Sequence, residues 1–154
     1  MASALDVAKW FLSTIDRESG DSITNLKLQK LIYYAQAWSL VMLGRPLFSE
    51  PIEAWAHGPA VDVVFQEYKA FSFNAIPLPD SIPAFTPEET RLLQDIYEVY
   101  GEKTAKALEN LTHDEEPWRT ARGNMPPEAR SRKEISHESM FDYYSKWLDG
   151  NGQK

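Results

Sequence analysis

Apolar positions recur at helical steps from the start of the chain. Val7, Trp10, Phe11 and Ile15 share one face of residues 2–18, with Asp6, Lys9, Asp16 and Arg17 interspersed, which predicts an amphipathic helix. Ser19, Gly20, Asp21 and Ser22 favour a turn, and Thr24 is placed to cap a second helix. Leu28, Leu31, Ile32, Ala35, Trp38 and Met42 carry its stripe to Gly44, a residue suited to the left-handed end of a helix. Tyr33, Tyr34 and Leu40 add apolar surface on other faces, so this helix, ~28 Å long at 1.5 Å per residue, is predicted to be the central one.

The pattern then changes. Pro46, Pro51 and Pro59 forbid a continuous helix, while Leu47, Phe48, Ile52, Ala54 and Trp55 suit extended backbone, so a small β-hairpin or short strands are expected around residues 46–56. Pro59 is placed in the first turn of a third helix that runs through Val61, Val64, Phe65 and Tyr68 to about Phe71. Residues 72–85 hold three prolines and no helical period, which predicts a loop.

Thr86-Pro87-Glu88-Glu89 is a capping box ahead of Leu92, Leu93, Ile96, Tyr97 and Tyr100, and Gly101 closes that helix. Ala105, Leu108 and Leu111 predict a short helix, and Pro117 a further turn bearing Trp118 and Ala121. Ser136 stands as N-cap between Ile135 and Met140, the pairing of a hydrophobic staple. Phe141, Tyr144 and Trp147 are read as the buried face of that last helix and Gly150 as its end. The fold class is therefore mainly α, a single helical domain of six to seven helices over residues 1–150, followed by a polar tail at 151–154.

Composition narrows the function. Of 154 residues 43% are hydrophobic and 12% aromatic, too apolar for a disordered chain. Sixteen basic residues against 23 acidic give −7, which argues against nonspecific binding to nucleic acid or an anionic membrane. Residues 80–116 alone hold ten acidic and three basic side chains, so 3 − 10 = −7, and Glu88 and Asp95 within them are candidates for binding a basic protein partner. Residues 119–133 reverse the sign, 5 − 1 = +4, and read either as a solvated face or as a site for phosphate or an acidic partner. There is no cysteine, which removes disulfides and thiol chemistry. No apolar run approaches the ~18 residues of a membrane span, so a cytoplasmic protein without a membrane partner is expected.

Catalytic motifs are scarce. His57, His113 and His137 lack metal-ligand spacing, and neither a phosphate-binding loop nor G-x-S-x-G occurs, so no metal and no cofactor is expected. In Trp55-Ala56-His57-Gly58-Pro59, a stiff corner holds an indole and an imidazole, which is either ordinary core packing or a rigid anchor for a partner. In Leu111-Thr112-His113-Asp114-Glu115-Glu116-Pro117-Trp118, His113 and Asp114 could form an acid–base pair, or Thr112 or Asp114 could simply cap a helix while Trp118 packs.

Three blocks resemble one family. Ile23-Thr24-Asn25-Leu26-Lys27-Leu28-Gln29-Lys30-Leu31-Ile32-Tyr33-Tyr34-Ala35-Gln36 is similar to the signature helix of the Panacea domain, the SocA-like or GepA-like antitoxins of bacteria and phages. Pro46-Leu47-Phe48, Pro51-Ile52-Glu53-Ala54-Trp55 and Gly58-Pro59-Ala60-Val61 resemble its second block, and Leu111-Thr112-His113 with Pro117-Trp118 its third. His57 departs from the aromatic residue more usual before Gly-Pro. The resemblance implies a non-enzymatic, mainly helical domain that neutralises a cognate toxin protein by direct binding. An alternative within the family is an adaptor that delivers the toxin to a ClpXP-type protease; an alternative of another class is a small enzyme centred on His113 and Asp114. Homo-oligomerisation is left open. The expected protein-binding residues are Trp55, His57, Gly58, Pro59, Glu88, Asp95, His113 and Trp118.

Overall fold

The structure, a computed structural model, describes residues 1–152. Its helices are α1 (Ala4–Thr14), α2 (Asn25–Met42), α3 (Asp62–Tyr68), α4 (Pro87–Tyr100), α5 (Ala105–Asp114), α6 (Glu116–Arg122) and α7 (His137–Gly152). One antiparallel hairpin joins β1 (Glu53–Trp55) to β2 (Gly58–Ala60), in register Glu53 to Ala60, Ala54 to Pro59 and Trp55 to Gly58. The architecture is mainly α, as the sequence predicts, with the expected hairpin lying at 53–60.

Local signals explain where the helices begin. Ser3 and Asp6 form a reciprocal capping box on α1, Thr24 caps α2 through the Lys27 N–H, and Thr86 with Glu89 caps α4. Burial pushes the Glu89 carboxyl up, but the Thr86 N–H and the Arg45 guanidinium, 2.9 Å away, outweigh it and hold the acid below its ordinary range. Ser136 Oγ accepts from the Ser139 N–H at 3.0 Å, with Ile135 and Met140 buried on either side of it.

Helix α2 is the axle of the fold. Every residue from Leu28 to Leu40 is buried, and α2 packs against α1, α3, α4, α5, α7 and β2. A helix covered on all faces cannot leave its polar side chains to water, so each must find a partner inside. Gln36 Oε1 accepts from the Leu47 and Phe48 N–H groups at 2.8 and 3.3 Å, and its Nε2 donates to Phe48 O at 2.9 Å. Gln29 Oε1 accepts from Val61 N–H at 2.8 Å, its Nε2 donates to Asn25 Oδ1, and Asn25 Nδ2 donates to Phe65 O. The polar positions of α2 thus staple down the loop after it, the end of the hairpin and α3.

Several expectations are corrected. Pro59 opens no helix: it is buried in β2 opposite Ala54, and α3 begins at Asp62, because Val61 N–H is claimed by Gln29. Helix α3 stops at Tyr68, and residues Lys69–Phe71 form a 3₁₀ turn. Helix α1 likewise ends at Thr14, with a separate 3₁₀ turn at Arg17–Ser19. In α7 Met140 and Tyr144 are buried, whereas Phe141 and Trp147 are 45% and 47% exposed. Steps of three drift by about 60° each around a helix, so 141, 144 and 147 cannot all centre on one face. Met42 is also exposed. Gly150 does not end α7, which continues through Asn151 to Gly152; the rest of the expected tail, 153–154, lies outside the described residues. Thr112 and Asp114 cap no helix: Thr112 Oγ1 donates back to Glu109 O, and α6 has no side-chain cap. Among the described residues no helix is long and apolar enough to cross a membrane, and no cluster of acidic or histidine side chains could hold a metal.

Candidate functional site

The chemistry-bearing residues gather in two places along α2. At its N-terminal half, the hairpin and α5 close over Lys30. Gly58, at φ 107°, leaves room for the Lys30 side chain, whose Cε would lie 2.6 Å from any Cβ at position 58, with Thr112 Oγ1 at 3.0 Å. Lys30 is 2% exposed, and burial lowers its ammonium to about 8 despite the opposing charge of Glu109. Glu109 also faces His57 Nδ1 at 3.6 Å and Lys106 Nζ at 3.1 Å.

An aromatic stack completes this junction. The His113 ring lies flat on Trp118, centroids 3.9 Å apart at 12°, and the Arg122 guanidinium stands 4.7 Å from the Trp118 ring. Trp118 Nε1 donates to Trp55 O at 2.7 Å, and Arg122 Nη1 to Ala54 O at 3.0 Å, so α6 grips the backbone of β1. Burial lowers the His113 pKa, and the carboxylate that bears on it is Glu109. Asp114, its expected catalytic partner, is exposed.

Beyond the junction lies a buried carboxylate. Glu115 Oε1 accepts from Tyr34 and Tyr144 hydroxyls at 2.6 and 2.9 Å, and the Tyr33 and Tyr144 hydroxyls are 3.0 Å apart. Burial raises the Glu115 pKa, and the two tyrosine hydrogen bonds only partly restrain it. Tyr34 stacks on Tyr100 at 4.0 Å, and Trp38 Nε1 donates to Tyr100 OH at 3.1 Å. Through these rings the network reaches the other end of α2.

There α2, α4 and α7 leave an open groove of about 630 Å³. Its floor and walls are Trp38, Met42, Leu92, Val99, Trp147 and Leu148, and its rim carries Glu88, Arg91 and Asp95. Met42, Val99, Trp147 and Leu148 are 58, 56, 47 and 36% exposed, a concentration of large apolar side chains at one spot. Arg91 Nε lies 3.5 Å from Asp95 Oδ1.

A family profile described as Antitoxin SocA-like, Panacea domain, matches residues 28–119, more than half of the chain. The chain belongs to the SocA-like antitoxin family. Antitoxin SocA of Caulobacter vibrioides (strain NA1000 / CB15N) is 50% identical over 52 residues, which are 34% of this chain and 26% of that protein. The chain thus spans about a quarter of the length of this curated relative. No solved structure matches it.

The stretch matched to the SocA-like family contains the Lys30, Gly58, Thr112 and Trp118 of the junction and the α4 wall of the groove, but not α7. Of the predicted binding residues, Trp55, His57, Gly58, Pro59, His113 and Trp118 come together at the junction, and Glu88 and Asp95 on the groove rim. Gly58, Pro59 and Trp118 are buried, Trp55 and His113 half-buried, and His57, Glu88 and Asp95 exposed. Sequence reasoning missed Lys30 and Glu109: Lys30 lies within the family-like block of α2, but nothing local distinguishes it from Lys27, and no motif marks Glu109. It also missed Trp147 as a groove wall. Among the basic residues of 119–133, Arg122 is buried against backbone carbonyls and Arg132 bridges Glu53 and Asp62, so this SocA-like chain spends two of those charges on its own fold.

Proposed function

We propose that this chain is a non-enzymatic antitoxin that neutralises a cognate protein toxin by direct binding, in the cytoplasm. What supports the reading is an exposed apolar groove with two acidic rim residues, on a member of an antitoxin family. Isolated apolar side chains on a surface are ordinary, but a contiguous group rimmed by charge is the composition of a protein-binding site. Glu88, Asp95 and His57 meet the partner directly, while Trp55, Gly58, Pro59, His113 and Trp118 hold the hairpin and α6 in the shape that the bound state requires. The junction fits this role better than acid–base catalysis, since His113 is packed face to face on an indole and shares its pocket with a buried lysine.

Co-expression tests the proposal. The product of the neighbouring gene should arrest growth alone, be tolerated with this protein, and co-purify with it in a complex of fixed stoichiometry. A harmless neighbour, or unrelieved toxicity, overturns the reading. If toxicity is relieved while the toxin's half-life shortens, delivery to a protease replaces sequestration as the mechanism.

A further inference from the structure

We propose that the groove between α2, α4 and α7 is filled by a single amphipathic α-helix of a basic partner, apolar face inward, with cationic side chains set against Glu88 and Asp95. The identity of that partner as the toxin rests on the antitoxin reading above; the groove's preference for a helix does not.

Dimensions come first. Helix α4 lines the groove from Pro87 and Glu88 in its first turn to Val99 and Tyr100 in its last, about 20 Å at 1.5 Å per residue, the length of three to four helical turns. The walls decide the conformation of the occupant. They are helix side chains, almost all apolar, and the one hairpin of the described residues lies elsewhere in the fold, so an extended peptide would find no sheet edge to pair its backbone N–H and C=O groups. A helix satisfies those groups internally and presents only side chains, the recognised mode for an apolar groove.

Charge selects the partner. Glu88 and Asp95 are seven residues apart on one face of α4, two turns or about 10 Å, and an antiparallel or parallel helix with Lys or Arg at the same spacing matches both. Arg91 lies between them, its Nε 3.5 Å from Asp95 Oδ1, and both side chains stay solvent-exposed, so Asp95 keeps open sides for a partner cation. A second copy of this chain is disfavoured by charge: two molecules of net charge −7 would have to bring together two acidic α4 faces, each carrying Glu88, Asp95 and the exposed Glu98.

The proposal is tested on the intact protein with three synthetic 14-residue probes. One is a Leu/Lys peptide patterned as an amphipathic helix, the second its Leu/Glu counterpart, and the third an alternating Leu/Lys peptide of strand period. Binding is followed by calorimetry and by the indole N–H signals of Trp38 and Trp147. The helical Leu/Lys probe should bind and shift both indoles, at least tenfold more tightly than either other probe. Val99→Asp and the double variant Glu88→Lys/Asp95→Lys, all at exposed positions, should each weaken it at least tenfold with an unchanged melting temperature. Equal binding of the strand-patterned probe, or binding that ignores both variants, overturns the proposal. So does a concentration-dependent dimer in sedimentation that Val99→Asp abolishes, because the occupant is then a second copy. If toxin rescue fails while the helical probe binds as described, the antitoxin reading falls and the groove assignment stands. If rescue succeeds undiminished with both variants, the toxin as the groove's occupant is overturned and the antitoxin reading stands.

Discussion

Gly58 and Lys30 occupy complementary space: the side chain that position 58 lacks is the room that Lys30 Cε fills, at 2.6 Å from where a Cβ would be. Gly58→Ala therefore meets two penalties, a left-handed backbone that costs about 1–2 kcal/mol for an L-residue and overpacking that costs about 1–3 kcal/mol. A loss of about 3 kcal/mol in urea unfolding is expected. Adding Lys30→Ala should recover the steric share and leave the backbone share; no recovery at all would place the whole cost in the backbone.

Lys30→Met keeps the shape and removes the charge. The folded-state pKa of about 8 lies below the ordinary 10.5, so the folded protein sheds this proton earlier than the unfolded chain. The contribution of Lys30 to stability is then greatest above pH 10.5 and falls away as pH drops through 8. The Met variant should gain on the wild type by up to about 3 kcal/mol on going from pH 10.5 to pH 7, at about 1.4 kcal/mol per pKa unit. A stability difference that stays flat from pH 7 to 10 would contradict a buried, strained ammonium.

Glu115 carries the opposite sign. Its folded pKa is raised above 4.5 by burial, so its contribution is fully present below the ordinary carboxyl range and is lost as pH rises toward the folded value. Glu115→Gln retains an oxygen acceptor for Tyr34 and Tyr144 but cannot ionise. Relative to the wild type, the variant should become progressively more stable between pH 4 and pH 7 in paired thermal melts. Parallel curves would mean that the carboxylate is ionised at no cost.

Gln36→Leu should cost about 3 kcal/mol, because it strands the Leu47 N–H and a Phe48 carbonyl inside the protein. Gln66→Leu offers the control: Gln66 is exposed on α3, where its Nε2 bonds Asp62 one turn away, and should stay within about 0.5 kcal/mol of wild type. Equal effects at the two positions would deny Gln36 its stapling role.

What could be read from the sequence was local. Thr86 with Glu89, Ser136 between Ile135 and Met140, and the positive φ of Gly44 each depend on residues within one turn, and each stands where expected. Pro59 was ambiguous for the same reason: a proline fits a first helical turn and a short strand equally well, and the choice is made by Gln29, thirty residues away. The six clustered binding candidates were legible as two motifs, yet not as one junction, because only tertiary packing brings Trp118 to the Trp55 carbonyl. The groove was half legible. Acidic density pointed to α4, whereas its apolar floor needs Trp38 and Trp147, two side chains whose positions on helical stripes read as core.

The Tyr33–Tyr144 contact joins residues 111 positions apart. Helix α7 follows in the chain everything it covers, so during synthesis α2 waits with one flank open until Met140 and Tyr144 have left the ribosome. A nascent or truncated chain ending before residue 137 exposes the faces of Tyr33, Tyr34 and Trp38 that α7 otherwise shields, an apolar surface open to aggregation until α7 docks.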